Sequence, residues 1–446
     1  MAGAAGQGGR LRRGPGRPGP AAAQPAPARA APGPEAAGGA GRAAERVHLA
    51  LRAQGVDSTF FVDDADVASA FEAARPIAHA RRLALATEAG QLMVKLGASE
   101  LEGIAFHLVA NLARSLREFD VVHLHWVEGA LRAPELWARI ARERPIVWTL
   151  HDTQPFTGYC VNPRGCERFT KHCGSCPQLV PHGSPMDWSF RMLARRRLAY
   201  RRFPAVAIAP STWMRDTAKR SAVLAHHDVR HVPNGVDVTL FSPPAPADVR
   251  AARTSLGLPL NAFLVGFAGA VPMQKGVELL VDATRHLAAA SSSSSSSAQR
   301  TMLVVCGNGP IPPPHIEHIH LGNLAGDARM SLFMRAIDVL ALPSRFEALS
   351  NVMVEALACG RPVVAFAVGG IPDGVLHERT GLLVPPEDVD AMGRGLARLR
   401  DDSALRERLG RQGRAHVEER FDITKVASAT LSIYQEVLAH HRAAHR

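Results

Sequence analysis

Short apolar runs of strand length alternate with helical stretches along most of this chain, and the alternation occurs in two successive sets. In the first set FDVVHLHW (Phe119–Trp126), PIVWTL (Pro145–Leu150) and AVAIAPS (Ala205–Ser211) are bounded runs of Val, Ile and Trp that predict strands. Ala105–Arg117 and Ala133–Arg142, before and between them, carry apolar residues at helical spacing. In the second set AFLVGFAGA (Ala262–Ala270), TMLVVCGNG (Thr301–Gly309), DVLALPS (Asp338–Ser344) and RPVVAFA (Arg361–Ala367) predict strands, with helices beginning near Gly276, Ala325 and Ser350. Strand–helix alternation needs crossover connections, which give parallel sheets covered by helices on both faces. The expected fold class is therefore α/β, with two doubly wound, Rossmann-like domains facing a central cleft.

A chain of 446 residues is long enough for two such cores. Residues 1–37 are rich in Ala, Pro, Gly and Arg, a composition that cannot bury enough surface to order itself. An N-terminal domain is expected over 38–240 and a C-terminal domain over 241–423, joined through the turn-rich PNGVDVTLFSPPAPADV. A last helix, about Thr424 to His441 within 424–446, has apolar residues at helical spacing and should pack back on the core. The run Ser291–Ser297 reads as a surface loop.

Composition removes several functions. No stretch approaches the roughly 18 apolar residues of a membrane-spanning helix. The first residues, MAGAAGQGGRLRRGPGRPGP, lack the apolar core of a secretory signal. Their Arg-rich, acid-poor character leaves organelle targeting open, but plain disorder fits better, and a cytoplasmic location is expected. The net charge is +11, yet aromatic residues are only 5%, which argues against a nucleic-acid partner; the charge is compatible with anionic ligands or a membrane surface. Six cysteines in a chain this long do not make a secreted disulfide scaffold. Cys306 and Cys359 sit among apolar residues as small core side chains.

Pro343–Val375, PSRFEALSNVMVEALACGRPVVAFAVGGIPDGV, is the most informative segment. A loop after the strand carries Glu347, and the helix that follows carries Glu355. Eight residues of helix rise span about 12 Å, roughly the reach from sugar to ribose in an extended nucleotide diphosphate sugar. Two isolated glutamates would ordinarily be surface charges. These stand at the carboxyl end of a strand, where open parallel sheets bind ligands. The helix N-terminus at Ala348, Leu349 and Ser350 offers N–H groups and a favourable dipole to a diphosphate, and the GGIPD loop can bring further N–H groups close.

The segment resembles the E-x7-E signature of the retaining GT-B glycosyltransferases of family 4, and continues with EALACGRPVVAFAVGGIPDGV and GLLVPPED in that family's order. PNGVD (Pro233–Asp237), CGNGP (Cys306–Pro310) and HLGNL (His320–Leu324) fall where the family has similar phrases. HLHW, WTLHDTQPFTGYC, GCERF and CGSCPQL are similar to bacterial exopolysaccharide enzymes of the colanic acid type. The resemblance covers about residues 38–440. It implies transfer of a sugar from a UDP- or GDP-linked donor to a hydroxyl of a glycan or lipid-linked acceptor, with retention, no required cofactor and metal-independent chemistry. It assigns Glu355 to the ribose, Glu347 to the transferred sugar, Lys275 to the diphosphate and His151 to the face of the donor sugar, with Asp152 orienting His151. Gly269, Gly307 and Asn308 fall in the donor-binding loops. Gly38, Gly39 and Ala40, in GGAGRAAE, match the acceptor-side glycine loop that approaches the diphosphate. Two positions depart from the pattern: Ala270 stands where the family often has an Arg, and no strand is legible before Gly38. A catalytically weak sugar-nucleotide-binding protein is therefore the alternative.

His123 and His125 alternate on one strand and so face the same side. Cys160, Cys166, Cys173 and Cys176 are spaced x5, x6 and x2, and only the last pair has zinc-like spacing. A structural zinc, reduced thiols and a disulfide all fit that cluster. Asp64 and Asp66 form a D-x-D triplet of a kind common by chance, read as a helix start or a turn. FRMLARRRLAYRRF (residues 190–203) is a basic, partly amphipathic helix that suits either peripheral membrane contact or a solvated surface.

Overall fold

The computed structural model describes residues 38–62, 74–76, 116–125, 134–179, 183–201, 205–269, 273–291 and 299–446. The tail 1–37, Asp64 and Asp66, most of Ala105–Arg117, Trp126, Ala270, most of the serine run and the end of the basic segment lie outside the described residues.

In chain order the strands are β1 (Phe60–Val62), β2 (Ala74–Pro76), β3 (Val122–Leu124), β4 (Ile146–Thr149), β5 (Ala205–Ala209), β6 (Val229–His231), β7 (Phe263–Ala268), β8 (Thr301–Cys306), β9 (Glu317–His320), β10 (Val339–Leu342), β11 (Val363–Phe366) and β12 (Gly381–Val384). The helices are α1 (Gly39–Ala53), α2 (Pro134–Glu143), α3 (Trp188–Tyr200), α4 (Thr212–Arg220), α5 (Pro246–Ser255), α6 (Val277–Ala283), α7 (Arg285–Ser291), α8 (Asp327–Ala336), α9 (Asn351–Ala358), α10 (Ile371–Gly374), α11 (Val389–Asp401), α12 (Ser403–Arg420) and α13 (Ile423–Ala444). One sheet has the order β3-β4-β5-β6 and a second β12-β11-β10-β7-β8-β9, and every pairing in both is parallel. β1 and β2 form a separate parallel pair.

The strands that read most clearly are those buried on both faces. All six residues of β7, and all six of β8, are buried, which is why each is a continuous apolar run rather than an alternating one. Each Val, Leu, Phe or Met among them contributes about 1.5–3 kcal/mol of burial. Gly266 lets α8 approach β7: a Cβ there would stand 2.6 Å from Ile337 Cδ1. Five strands escaped the sequence reading, β1 and β2 of the separate pair and three in the larger sheets. β6 (VRH) and β9 (EHIH) are polar edge strands, and β12 (GLLV) is a short edge strand; edges bury one side less and tolerate charge.

The last helix is longer than expected and lies on the first sheet. Ile423, Val426, Ala427, Ile433 and Val437 of α13 share a buried cluster with Val47 and Leu51 of α1, Val147 of β4, and Val206 and Ile208 of β5. The core it packs on is thus that of the N-terminal half.

Candidate active site

Glu347 lies in the loop after β10 and Glu355 in the second turn of α9, which starts only at Asn351. The span between them is thus helical over its later part alone. Ser350 caps α9, accepting from Met353 N. Gly360, at φ 67, and Pro362 end the helical path. Both carboxylates are buried, Glu347 at 7% exposure and Glu355 at 4%. A buried carboxylate needs a partner, and each has a cationic one.

Glu347 Oε1 accepts from Lys275 Nζ at 2.7 Å and from Ser344 Oγ at 2.9 Å. Lys275 precedes Gly276, whose left-handed backbone caps α6 against the β10 loop; a Cβ there would stand 2.1 Å from Pro343 O. The Gly369–Gly370 pair holds the other side of the Glu347 loop. Gly370 N donates to Glu347 O at 2.9 Å. A Cβ on Gly369 would stand 2.0 Å from Glu347 O, and one on Gly370 2.1 Å from Ala348 O. GGIPD was expected to turn its N–H groups to a diphosphate; that of Gly370 instead holds the glutamate loop.

Glu355 Oε1 accepts from Arg46 Nη2 at 2.6 Å. Arg46 also donates through Nε and Nη2 to Asp327 Oδ2 and Oδ1 at 2.8 and 2.9 Å, and its guanidinium lies over the Phe241 ring, 5.4 Å from the centroid. Burial works against the Arg46 charge, but Glu355 and Asp327 outweigh it and raise its pKa. For Glu355 burial dominates and raises the carboxyl above its ordinary range, with Arg46 opposing.

Gly269 and Gly307 follow β7 and β8 at the same end of the sheet as Glu347. Gly269 N donates to Cys306 O at 2.9 Å and Gly307 N to Gly322 O at 2.8 Å; Asn308 is half-buried. Ala348 packs into the core of the N-terminal half and Leu349 into that of the C-terminal half. Other contacts join the halves here. Asn351 Nδ2 donates to Gly39 O at 2.8 Å, and Asn351 Oδ1 accepts from Asn234 Nδ2 at 2.9 Å. Asp373 accepts from Thr212 N at 2.6 Å and Thr212 Oγ1 at 2.5 Å. Trp213 meets Phe346 edge to face, centroids 5.4 Å apart.

Only Gly38, at φ 35, is loop in the expected glycine segment; Gly39 and Ala40 already belong to the first turn of α1. His151 follows β4, and its Nε2 is 2.9 Å from His125 Nδ1. His123 and His125 do share a side, with ring centroids 4.2 Å apart. His123 bonds Tyr434 Oη at 2.5 Å and Thr149 Oγ1 at 2.8 Å. The three residues keep some exposure, but the protein packed around the rings disfavours imidazolium. Burial pushes His123 down to about 3, His151 to about 4, and His125 well below its ordinary value. Asp152 Oδ1 accepts from Gln154 N at 2.7 Å, fixing the turn after His151. His123 and His125 line a small crevice with Ala43, Val47, Asn234 and Thr430.

Cys160, Cys166, Cys173 and Cys176 are all free. Burial raises the Cys160 thiol and pushes Cys173 up to about 11, with the neighbouring cysteines adding to both. Among the described residues no three His, Cys, Asp or Glu side chains are placed to hold a metal. In α3, Arg191, Arg195, Arg197 and Leu198 are exposed. Arg196 departs from the basic-face expectation: it is buried and donates to Thr157 O at 2.6 Å. No described helix is long and apolar enough to cross a membrane.

Arg46, Asp327 and Ser344 were missed from sequence. Arg46 carries a detectable signal, a charge on the buried face of α1 beside Ala43, Val47 and Leu51, where an unpaired cation is untenable.

A family model described as "Glycosyltransferase Family 4" matches residues 37–240, and one described as "Glycosyl transferases group 1" matches 262–402. The chain is 31% identical over 351 residues to a D-inositol 3-phosphate glycosyltransferase of Xylanimonas cellulosilytica, covering 74% of this chain and 75% of that one. It is 34% identical over 255 residues to an alpha-maltose-1-phosphate synthase of Mycolicibacterium smegmatis, covering 52% of this chain and 63% of that one. HepE of Anabaena, solved with UDP and glucose, superposes with a TM-score of 0.63 at 19% identity, covering 90% of this chain and 96% of that one. With its two parallel sheets and helices, the chain belongs to the family 4 glycosyltransferases of the GT-B fold.

Proposed function

We propose that this glycosyltransferase moves a sugar from a nucleotide diphosphate sugar to a hydroxyl of a glycan or lipid-linked acceptor, with retention at the anomeric carbon. One observation carries it: two buried carboxylates at one end of the second sheet, each held by its own cation. Residues 241–423 hold the donor and residues 38–240 the acceptor. Glu355 accepts from the ribose hydroxyls and Glu347 from the transferred sugar. Gly269, Gly307, Asn308 and the backbone of Ala348–Ser350 surround the nucleotide diphosphate.

The reaction is a front-face displacement. The bond from the anomeric carbon to the phosphate oxygen breaks as the acceptor oxygen bonds to that carbon, and the acceptor proton passes to the departing diphosphate. Lys275 and the N-terminus of α9 meet the charge that develops on the leaving group, which does not call for a metal. His151, neutral at pH 7 because burial holds it at about 4, hydrogen-bonds the sugar rather than donating a full charge. A family of related enzymes acting on polysaccharide or glycoconjugate is the fitting context, and the exposed arginines of α3 suit an enzyme that meets anionic lipid headgroups from the cytoplasmic side.

The test is a panel of UDP- and GDP-sugars with the purified chain, following nucleotide release and the anomeric configuration of the product by proton NMR. A retained configuration with one donor is expected. An inverted product would overturn retention; nucleotide binding with no turnover of any donor would leave a binding protein.

A further inference from the structure

Arg46 stands on α1, within the N-terminal half, while both its carboxylate partners belong to the C-terminal half, Asp327 at the start of α8 and Glu355 in α9. Its side chain is 7% exposed and that of Glu355 is 5%. Three contacts fix it: the paired bonds to Asp327, the ring of Phe241, and the bond to Glu355 Oε1. An arginine held this way has no freedom to follow a ligand. It sets where the carboxylate points.

A carboxylate gripping the two hydroxyls of a ribose must be ionised and fixed in rotation, since a protonated carboxyl gives up one acceptor. Arg46 supplies both conditions to Glu355. It occupies Oε1 from one side, and each carboxylate oxygen carries two lone pairs, so a donor hydroxyl can share that atom while the other meets Oε2. Without the guanidinium, Glu355 would be a buried carboxylate with no cation in contact, a state that proteins relieve by protonation.

We propose that Arg46 is a positioning residue for the donor, holding Glu355 ionised and aimed at the ribose, so that ribose recognition is completed by the acceptor-side half. This rests on the ribose role given to Glu355 above. Asp327 serves the same end one step removed, by fixing the Arg46 fork. Donor affinity thereby depends on α1 standing against α8 and α9.

The experiment compares UDP with 2′,3′-dideoxy-UDP, and GDP with its dideoxy analogue, by calorimetry on the full chain and on Arg46→Met, Arg46→Lys, Asp327→Asn and Glu355→Ala. The native chain should prefer the ribose form by roughly tenfold or more, the worth of a charged hydrogen bond. Arg46→Met should lose that preference at pH 7 and regain part of it near pH 9, as Glu355 ionises again. Arg46→Lys should keep most of it, and Asp327→Asn should lose part. Asp327→Asn retains the guanidinium and covers the case in which Arg46→Met does not fold. If Glu355→Ala discriminates as the native chain does, the ribose assignment fails and this proposal with it. If Glu355→Ala loses discrimination while Arg46→Met and Asp327→Asn keep it, the ribose assignment survives and the proposal is overturned. Tighter binding of the ribose form by Arg46→Met would also overturn it, because Arg46 would then be blocking the site.

Discussion

Lys275 Nζ donates to Glu347 Oε1 at 2.7 Å, bringing the loop after β7 against the loop after β10. The pair is asymmetric in exposure: the Lys275 side chain is 35% exposed and that of Glu347 only 9%. Lys275 can therefore turn toward an arriving diphosphate while Glu347, also held by Ser344 Oγ, stays in place. Glu347→Gln keeps the shape and removes the charge. We expect kcat for donor turnover to fall about a hundredfold, the scale of a lost transition-state contact, with UDP affinity changed by less than about threefold. A parallel loss of UDP affinity would place Glu347 on the nucleotide instead.

Gly370 tests whether the glycine loop is structural. A Cβ at this position would stand 2.1 Å from Ala348 O and 2.6 Å from Ser211 Cβ, neither of which is a flexible side-chain end. Gly370→Ala should therefore cost about 2 kcal/mol or more in urea unfolding, the scale of overpacking. It should lower donor turnover as well, because Ala348 follows Glu347. Unfolding at the native midpoint would show that the loop has room the structure does not give it.

How much of this was legible differs by element. β7 and β8, and the buried centres of β4, β5, β10 and β11, announced themselves because two-sided burial demands unbroken apolar runs. β6 and β9 stayed hidden because edge strands answer to pairing rather than to burial. Glu347 and Glu355 stood out because they share one short segment at the carboxyl end of a strand. Arg46 and Asp327 are 281 residues apart, and nothing local in either stretch marks one as the partner of the other. Only the fold brings them together. The two glycines after β11 were visible too, but sequence assigned their freedom to a ligand, when a neighbouring backbone is what they accommodate.

The histidine cluster should make the protein acid-sensitive. Burial pushes His123 to about 3 and His151 to about 4, whereas in the unfolded chain they return to near 6.5. Between those values the unfolded state binds more protons, so stability rises with pH there. The contribution is intact above about 6.5 and is lost as pH falls toward 4 and then 3. We expect Tm to drop progressively from pH 7 to 4.5, and the drop to be shallower in His123→Gln, which removes one of the three rings. An identical slope in the two proteins would mean that His123 titrates normally.

Asp373 offers a second measure of how firmly the halves are joined. It lies on α10 of the C-terminal half and accepts from Thr212 N and Oγ1 at 2.6 and 2.5 Å, at the first turn of α4 in the N-terminal half. A carboxylate there satisfies an N–H that the helix cannot, and its charge favours the positive end of the dipole. His231 Nε2 stands 3.6 Å away; burial lowers the His231 pKa, and Asp373 is the largest influence opposing it, with the Pro210 backbone adding to it. Asp373→Asn keeps the size and loses the charge. It should cost about 1 kcal/mol in unfolding, and by removing the opposing charge it should lower the His231 pKa further, read by NMR titration of the ring. Because the carboxylate bridges the two halves, weakening it should also raise KM for the donor more than it lowers kcat. A change in stability with KM untouched would show that the bridge supports the fold without tuning the cleft.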